Sequence, residues 1–424
     1  MSLLNYLINR VNLEFFIARR MARNTTGQRP GVMVRIAAIS VAVSVAVMIL
    51  ALAVIMGFKG EVTRRVVGFA AHTEIVDVRS VNSIASTPML RTDALEQTIR
   101  AVDGFASMHP YALKGGIIKT TDATQEMVLK GVDASYDWSF FTDFLVEGAL
   151  PRVDEETRTK EVLISRMAAN RLEVGVGDRI EMLFIEQNEA PRRDRFKITG
   201  IYASGMEEMD AAVMITDLRN VQRLSGWAAD EVTGYEVNTT DFEHIDTFAH
   251  NLSAAILASE LDETQNLAVN SVKELYPGIF DWLKTHNVNA IVIISIMLIV
   301  AFFNMASALL ILVLERTRMI GLLKAMGMRN GAVQRIFLWR ATFITLRGLA
   351  WGNGVGIGLC LLQQHLHLIK LSSEGYLLSE VPIALGWGWW AALNLGVIAV
   401  IVLLLLLPAR VVATVNPSET IRYE

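Results

Sequence analysis

The sequence predicts a membrane protein in which four transmembrane α-helices carry a large α+β domain inserted between the first and the second. Three observations predict it. Four long stretches are nearly free of charge, the remaining charge divides by sign along the chain, and the one long segment between spans reads as short strands and amphipathic helices. The 424 residues are 52% hydrophobic and 19% charged, and the mean hydropathy of +0.38 is too high for an ordinary soluble enzyme.

Residues 1–35 form a basic segment with Arg10, Arg19, Arg20, Arg23, Arg29 and Arg35. The first span, 36–58, has no charged residue, and about 20 apolar residues suffice to cross a bilayer as a helix. It is too long, and starts too far in, for a signal-peptide core, and no A-x-A site follows it, so it is expected to be retained. The second span, 288–314, is also uncharged; the third, 341–368, contains only Arg347; the fourth, 383–407, contains no charge.

Residues 59–283 hold 22 Lys+Arg against 37 Asp+Glu, and the rest of the chain 17 against 6. The basic excess flanks the first span, recurs in 315–340 (Arg316, Arg318, Lys324, Arg329, Arg335, Arg340) and returns at Arg410 in the tail 408–424. The loop 369–382 has Lys370 alone. Positive charge stays inside, so both termini and 315–340 are expected in the cytoplasm, and 59–283 and 369–382 outside.

The outer segment is expected to open with a helical extension of the first span over 58–69, where Val62, Val66 and Phe69 share a stripe. Strands are expected over 74–78, 116–120, 127–132, 161–165, 179–185, 195–203 and 212–216 from β-branched content and turn punctuation. Thr92 and Asp217 are placed to cap helices, and Ile245, Phe248, Leu252 and Ile256 mark a third. Strands mixed with helices give an α+β domain. The polar loop 186–194, with Pro191, Arg192 and Arg193, has two readings: an exposed hairpin tip, or a docking loop for a partner.

In the third span Gly348, Gly352 and Gly356 recur every four residues, a spacing that lets helix backbones approach closely in lipid. Ala38, Ala42 and Ala46 repeat it in the first span. Packing within the four-helix unit and packing between subunits both fit. Asn304, polar at membrane depth, is read as a packing hydrogen bond.

Several chemistries find no residues. There is no G-x-x-x-x-G-K-[ST] phosphate loop, no H-E-x-x-H and no CxxC pair. His365 and His367 lie about 200° apart on a helix and cannot share a metal; they read as interfacial residues. Glu207, Glu208 and Asp210 lack calcium-loop spacing and read as a solvated turn. The single cysteine, Cys360, excludes an intrachain disulfide. Nothing reads as catalytic or as nucleic-acid binding.

One block stands out beside the second span: Glu315-Arg316-Thr317-Arg318-Met319-Ile320-Gly321-Leu322-Leu323-Lys324-Ala325-Met326-Gly327. No Gly or Pro breaks the 314/315 junction, so a stiff helix rigidly joined to the span is expected. On charge alone its cations suit lipid headgroups as well as a protein partner. The block resembles the coupling segment of FtsX/MacB-type permeases of ABC transporters, with Met319 where that family commonly has an acid. Gln334-Arg335-Ile336-Phe337-Leu338 before the glycine-rich span, and the ending Asn416-Pro417-Ser418-Glu419-Thr420-Ile421-Arg422-Tyr423-Glu424, resemble the same family. Within it the chain is most similar to the lipoprotein-releasing (Lol) permeases. Phe16-Ile17-Ala18-Arg19-Arg20, the span-one exit Met56-Gly57-Phe58-Lys59-Gly60-Glu61, the turn Val174-Gly175-Val176-Gly177-Asp178, and Ile198-Thr199-Gly200-Ile201-Tyr202 with Ser204-Gly205-Met206-Glu207-Glu208-Met209-Asp210 carry that similarity.

The resemblance implies a permease subunit of the bacterial inner membrane that is not itself an enzyme and holds no cofactor. Two permease subunits, alike or sister chains, would bind a dimer of a separate cytosolic ATPase that carries the ATP and Mg. Glu315, Arg316, Thr317, Arg318, Ile320, Gly321, Leu323, Lys324, Ala325 and Gly327 would form the coupling helix seated on it. Lipoproteins would be drawn from the membrane toward a periplasmic carrier, docked at the 184–195 loop. MacB-like export of periplasmic substrates and FtsX-like signalling to a cell-wall hydrolase share the architecture and stay open.

Overall fold

The computed structural model describes residues 13–23, 32–81, 87–119, 124–154, 156–185, 191–259, 266–369 and 380–406. Its helices are α1 (Leu13–Arg23), α2 (Val32–Ala70), α3 (Asp93–Arg100), α4 (Ser139–Asp143), α5 (Arg166–Leu172), α6 (Glu207–Ala212), α7 (Leu218–Ser225), α8 (Ile245–Leu257), α9 (Val272–Leu275), α10 (Pro277–Glu315), α11 (Thr317–Ala325), α12 (Asn330–Leu366) and α13 (Trp387–Leu404). The strands are β1 (Thr73–Asp77), β2 (Met89–Leu90), β3 (Phe105–Lys119), β4 (Thr124–Val132), β5 (Leu145–Gly148), β6 (Glu161–Ser165), β7 (Arg179–Phe184), β8 (Arg192–Tyr202), β9 (Val213–Asp217), β10 (Glu231–Val232), β11 (Gly234–Thr239) and β12 (Leu267–Ser271). The described residues divide into a helical unit, within 13–60, 282–369 and 380–406, and a mixed unit, within 61–281.

In the helical unit Val41, Val45 and Ile49 of α2, Met305 and Leu309 of α10, Val333, Phe337 and Ile344 of α12 and Val397 and Ile401 of α13 make one apolar core. Ile291, Ile299, Phe303, Trp351 and Leu403 face outward. A helix apolar all round is solvated by lipid or by a large core, not by water. Among the described residues α2, α10 and α13 are long and apolar enough to cross a membrane. The expected third span is helical within α12 but does not join them: Arg340, Arg347, Asn353, Gln363 and its glycines dilute the apolar run. Polar groups tie the helices where lipid offers no partner. Asn304 donates to the Ser40 hydroxyl, joining α10 to α2. Asn353 donates to Asn394 Oδ1 at 2.7 Å, and Trp390 Nε1 donates to Asn353 Oδ1 at 2.6 Å, joining α12 to α13. The helix α1 lies on α12, with Phe15 edge-on to Trp339 and Glu14 3.0 Å from Arg335.

In the mixed unit the sheet order is β12-β1-β11-β3-β4-β9-β6-β8-β5, and β7 pairs with both β8 and β3. The pairings β3–β4–β9–β6–β8–β7–β3 therefore close a ring, and β11, β1 and β12 extend it from β3. Among the described residues only β4–β9 and β6–β8 are parallel. Ile118, Leu129, Val162, Ile164, Met182, Phe196, Ile198 and Met214 fill the core. Helices start where short polar side chains satisfy orphan N–H groups. Thr92 accepts from Leu95, Ser165 from Ala168 and Asp217 from Arg219, while Ser271 and Glu274 form a capping box.

The strand expected over 116–120 is, up to Lys119, the end of the much longer β3; residue 120 lies outside the described residues. Its earlier part contains Pro110, opposite Tyr235 of β11, and a proline argues against a central strand. β2, β5, β10, β11 and β12 were not expected.

Candidate functional site

The segment 315–327 folds as α11 between two turns. α10 stops at Glu315, and Arg316 leaves helical geometry with φ −111° and ψ 19°. The 314/315 junction is helical as expected, and the turn comes one residue later, at Arg316. Beside the break the Thr317 hydroxyl donates to the carbonyls of Val313 and Leu314. The Arg316 N–H closes on Val313 O at 3.2 Å, and Ile320 N–H restarts the ladder on Arg316 O at 3.0 Å.

The far end is a Schellman motif. Gly327 sits at φ +92°, its N–H reaches Lys324 O, and Met328 N–H reaches Leu323 O, both at 3.0 Å. Ile320 and Gly321 are buried, Ile320 in the same core as Val333 and Phe337. Thr317, Leu323 and Lys324 are half-buried, and Glu315, Arg316, Arg318, Leu322, Ala325, Met326 and Gly327 are exposed. Burial holds the Lys324 ammonium below its ordinary pKa. The outward face of α11 thus combines cations with the exposed side chains of Leu322 and Met326. Glu315 is the one acid within 288–369, so a partner docking here is expected to be acidic with an apolar groove.

The glycines of α12 meet the small residues of α2. A Cβ on Gly348 would lie 2.8 Å from Ala38 O, one on Gly352 2.6 Å from Ala42 O, and one on Gly356 3.2 Å from Ala46 Cα. The two small-residue repeats face each other within one chain. Gly57 of the span-one exit lies against Pro382, and Ala384 N–H donates to Ala53 O at 3.1 Å.

Of the loop residues expected, Arg192 and Arg193 stand differently, while Pro191 precedes the strand. β8 begins at Arg192, so Arg192 and Arg193 are strand residues opposite Phe184 and Leu183. Arg192 Nη1 donates to Leu224 O at 2.9 Å, and Arg193 Nη1 lies 3.5 Å from Glu181. The ladder's cross-strand pairing draws both into the hairpin. Pro191 is exposed; the tip, 186–190, lies outside the described residues.

The other motif residues of the mixed unit build turns. Asp178 Oδ2 accepts the Gly175 N–H at 2.8 Å, and Gly177 takes φ +96°. Asp210, expected in a solvated turn, is buried: it accepts from Ser204 Oγ at 2.6 Å and Gly205 N–H at 3.1 Å. Glu207 and Glu208 are exposed. Burial raises the Asp210 carboxyl pKa.

Sequence reasoning missed a buried polar group at the end of α2. Lys130 pairs with Glu236 and donates to Phe69 O, its ammonium lying over the Tyr111 and Tyr136 rings. Glu74 accepts from Tyr111 at 3.1 Å and from Asn270 at 3.1 Å, and burial raises its pKa. Charges alternating with apolar residues in β4 and β11 look like ordinary strand edges; only the fold brings them together.

Comparison with known proteins places this geometry. Residues 36–255, just over half the chain, match the MacB-like periplasmic core domain, and residues 291–417 match the FtsX-like permease C-terminal domain. The lipoprotein-releasing system transmembrane protein LolC of Xylella fastidiosa (strain Temecula1) is 23% identical over 393 residues, 88% of this chain and 89% of that protein. LolE of Haemophilus influenzae is 23% identical over 431 residues, 97% of this chain and 99% of that protein. The periplasmic region of MacB from Actinobacillus actinomycetemcomitans is a solved structure with a TM-score of 0.33 and 14% identity, covering 50% of this chain and 94% of that one. The chain belongs to the family of FtsX-like permeases with a MacB-like periplasmic core domain, membrane permeases that carry a large α/β domain.

Proposed function

We propose that the chain is the permease subunit of an ABC transporter that extracts lipoproteins from the inner membrane toward a periplasmic carrier, driven by a separate cytosolic ATPase. It would cross the membrane four times with both termini in the cytoplasm, α12 supplying the third crossing, and pair with a second permease subunit. The observation that carries this reading is α11. It is a short helix held on its inner side by Ile320 and Gly321, with Arg318, Leu322 and Met326 exposed. ATP-driven work needs an ATP site, and the sequence has no phosphate loop of its own. The near-full-length similarity to LolC and LolE supports lipoproteins as the cargo.

The test replaces Gly321 by Leu or Lys324 by Glu and follows two quantities in reconstituted vesicles: ATP hydrolysis by the partner and release of an acylated lipoprotein. Release should fall while the chain stays inserted and hydrolysis continues. Unchanged coupling would remove α11 from the mechanism, and normal lipoprotein sorting after depletion of the chain would remove the cargo.

A further inference from the structure

The stripe of α12 that faces the helical core runs Val333, Ile336, Phe337, Ala341, Ile344 and Gly348, and Arg340 lies within it. Arg340 is 6% exposed, and its Nε and Nη1 have no hydrogen-bond partner among the described residues. Among the described residues Arg316 and Arg347, both exposed, are the charged groups acting on it, and both repel it. The one acid of 288–369 is Glu315, and Glu14 of α1 is taken by Arg335. A buried guanidinium without a counter-charge is among the least stable arrangements a protein can hold, and a planar fork of N–H donors suits a phosphate. Arg316 and Arg340 stand at the end of the expected third span, and Arg347, exposed on α12 within that span, can snorkel toward the layer where lipid phosphates are dense.

We propose that Arg340, with Arg316 and Arg347, binds the phosphate of an anionic phospholipid in the cytoplasmic leaflet. An anion delivered to the buried fork restores the missing hydrogen bonds, and the charges of Arg316 and Arg347 add to its attraction. The proposal rests on the topology given above, not on the cargo.

The full chain, stripped of lipid in detergent, is titrated with phosphatidylglycerol, and the bound lipid is counted by native mass spectrometry. Losing a charge-assisted hydrogen-bond pair should lower retention about tenfold in Arg340→Gln, with Arg329→Gln as the control at wild-type retention. Should Arg340→Gln fail to fold, Arg347→Gln, at an exposed position, should still weaken retention severalfold. Displacement of the lipid by millimolar inorganic phosphate would show that the site takes phosphate from either source; resistance would assign it to the lipid. Wild-type retention in both variants would overturn the proposal and leave a protein carboxylate as the counter-charge. None of these readouts depends on lipoprotein release, so failure of the cargo reading leaves them intact.

Discussion

Lys130 Nζ donates a hydrogen bond across 2.7 Å to the carbonyl oxygen of Phe69, one residue before α2 ends. The last carbonyls of a helix lack partners and carry its negative pole, so a buried ammonium there satisfies both. Glu236 balances the charge. Arg65, one helical turn earlier, donates to Ser204 O and lies over the Phe144 ring. The end of α2 is therefore held to the ring of strands by cations, not by apolar packing alone. Ala71, with φ +54°, turns the chain into β1.

Removing one member of this pair strands the other. Lys130→Met should destabilise the mixed unit by about 3–5 kcal/mol, the range for a broken buried ion pair. Lys130→Met with Glu236→Gln should recover much of that loss, because no charge is left buried. Thermal unfolding of the full chain measures both, and a double variant no better than the single one would refute the pairing.

The contact between α12 and α2 makes a prediction about volume. Gly352→Leu forces a side chain into the Ala42 backbone, and overpacking costs about 1–3 kcal/mol. Gly354, two residues on, has nothing within 4 Å of its would-be Cβ, so Gly354→Ala should be neutral or gain about 0.5–1 kcal/mol from helix propensity. Equal melting temperatures for the two variants would mean the helices are not packed through these glycines.

Much of this was legible in the sequence, and the reasons differ by element. The apolar helices α2, α10 and α13 follow from charge-free length alone, which needs no partner, whereas the expected third span does not join them. The helices capped by Thr92 and Asp217 carry their signals within four residues. β3 and β11 do not, because Pro110 masks one, and the register that makes Lys130 and Glu236 neighbours is long-range. The small-residue repeats were visible separately, while their meeting required both helices. The break at Arg316 was hidden because no Gly or Pro marks it. Arg340 read as one more cytoplasmic cation until its position in the buried stripe of α12 was known.

His72 gives the mixed unit a pH dependence. Burial lowers its pKa below the ordinary 6.5, and its Nδ1 accepts the Thr239 N–H at 2.9 Å, which requires a neutral nitrogen. The unfolded chain therefore takes up a proton first as pH falls. This contribution to stability is complete above about pH 6.5 and is lost progressively between 6.5 and the lower folded pKa. His72→Gln should flatten the stability profile in that window. An unaltered slope would assign the pH dependence elsewhere.

The last prediction concerns how α11 ends. Gly327 holds φ +92°, where an L side chain costs about 1–2 kcal/mol, and the Schellman bonds from Gly327 and Met328 depend on that conformation. Gly327→Val should break them, freeing the Leu323 and Lys324 carbonyls and fraying the last turn, while Gly331→Ala, with open space around it, should not. Asparagine tolerates this region better than valine, so Gly327→Asn should fall between. Hydrogen exchange at Gly327 and Met328 reads the outcome directly, with faster exchange expected in the order wild type, Asn, Val. α11 already has a one-residue break at Arg316, so losing the cap would leave it held mainly by Ile320 and Gly321. Partner ATPase binding should then weaken along with the exchange protection. Protection unchanged in Gly327→Val would mean that the core contact of Ile320, not the cap, fixes this helix.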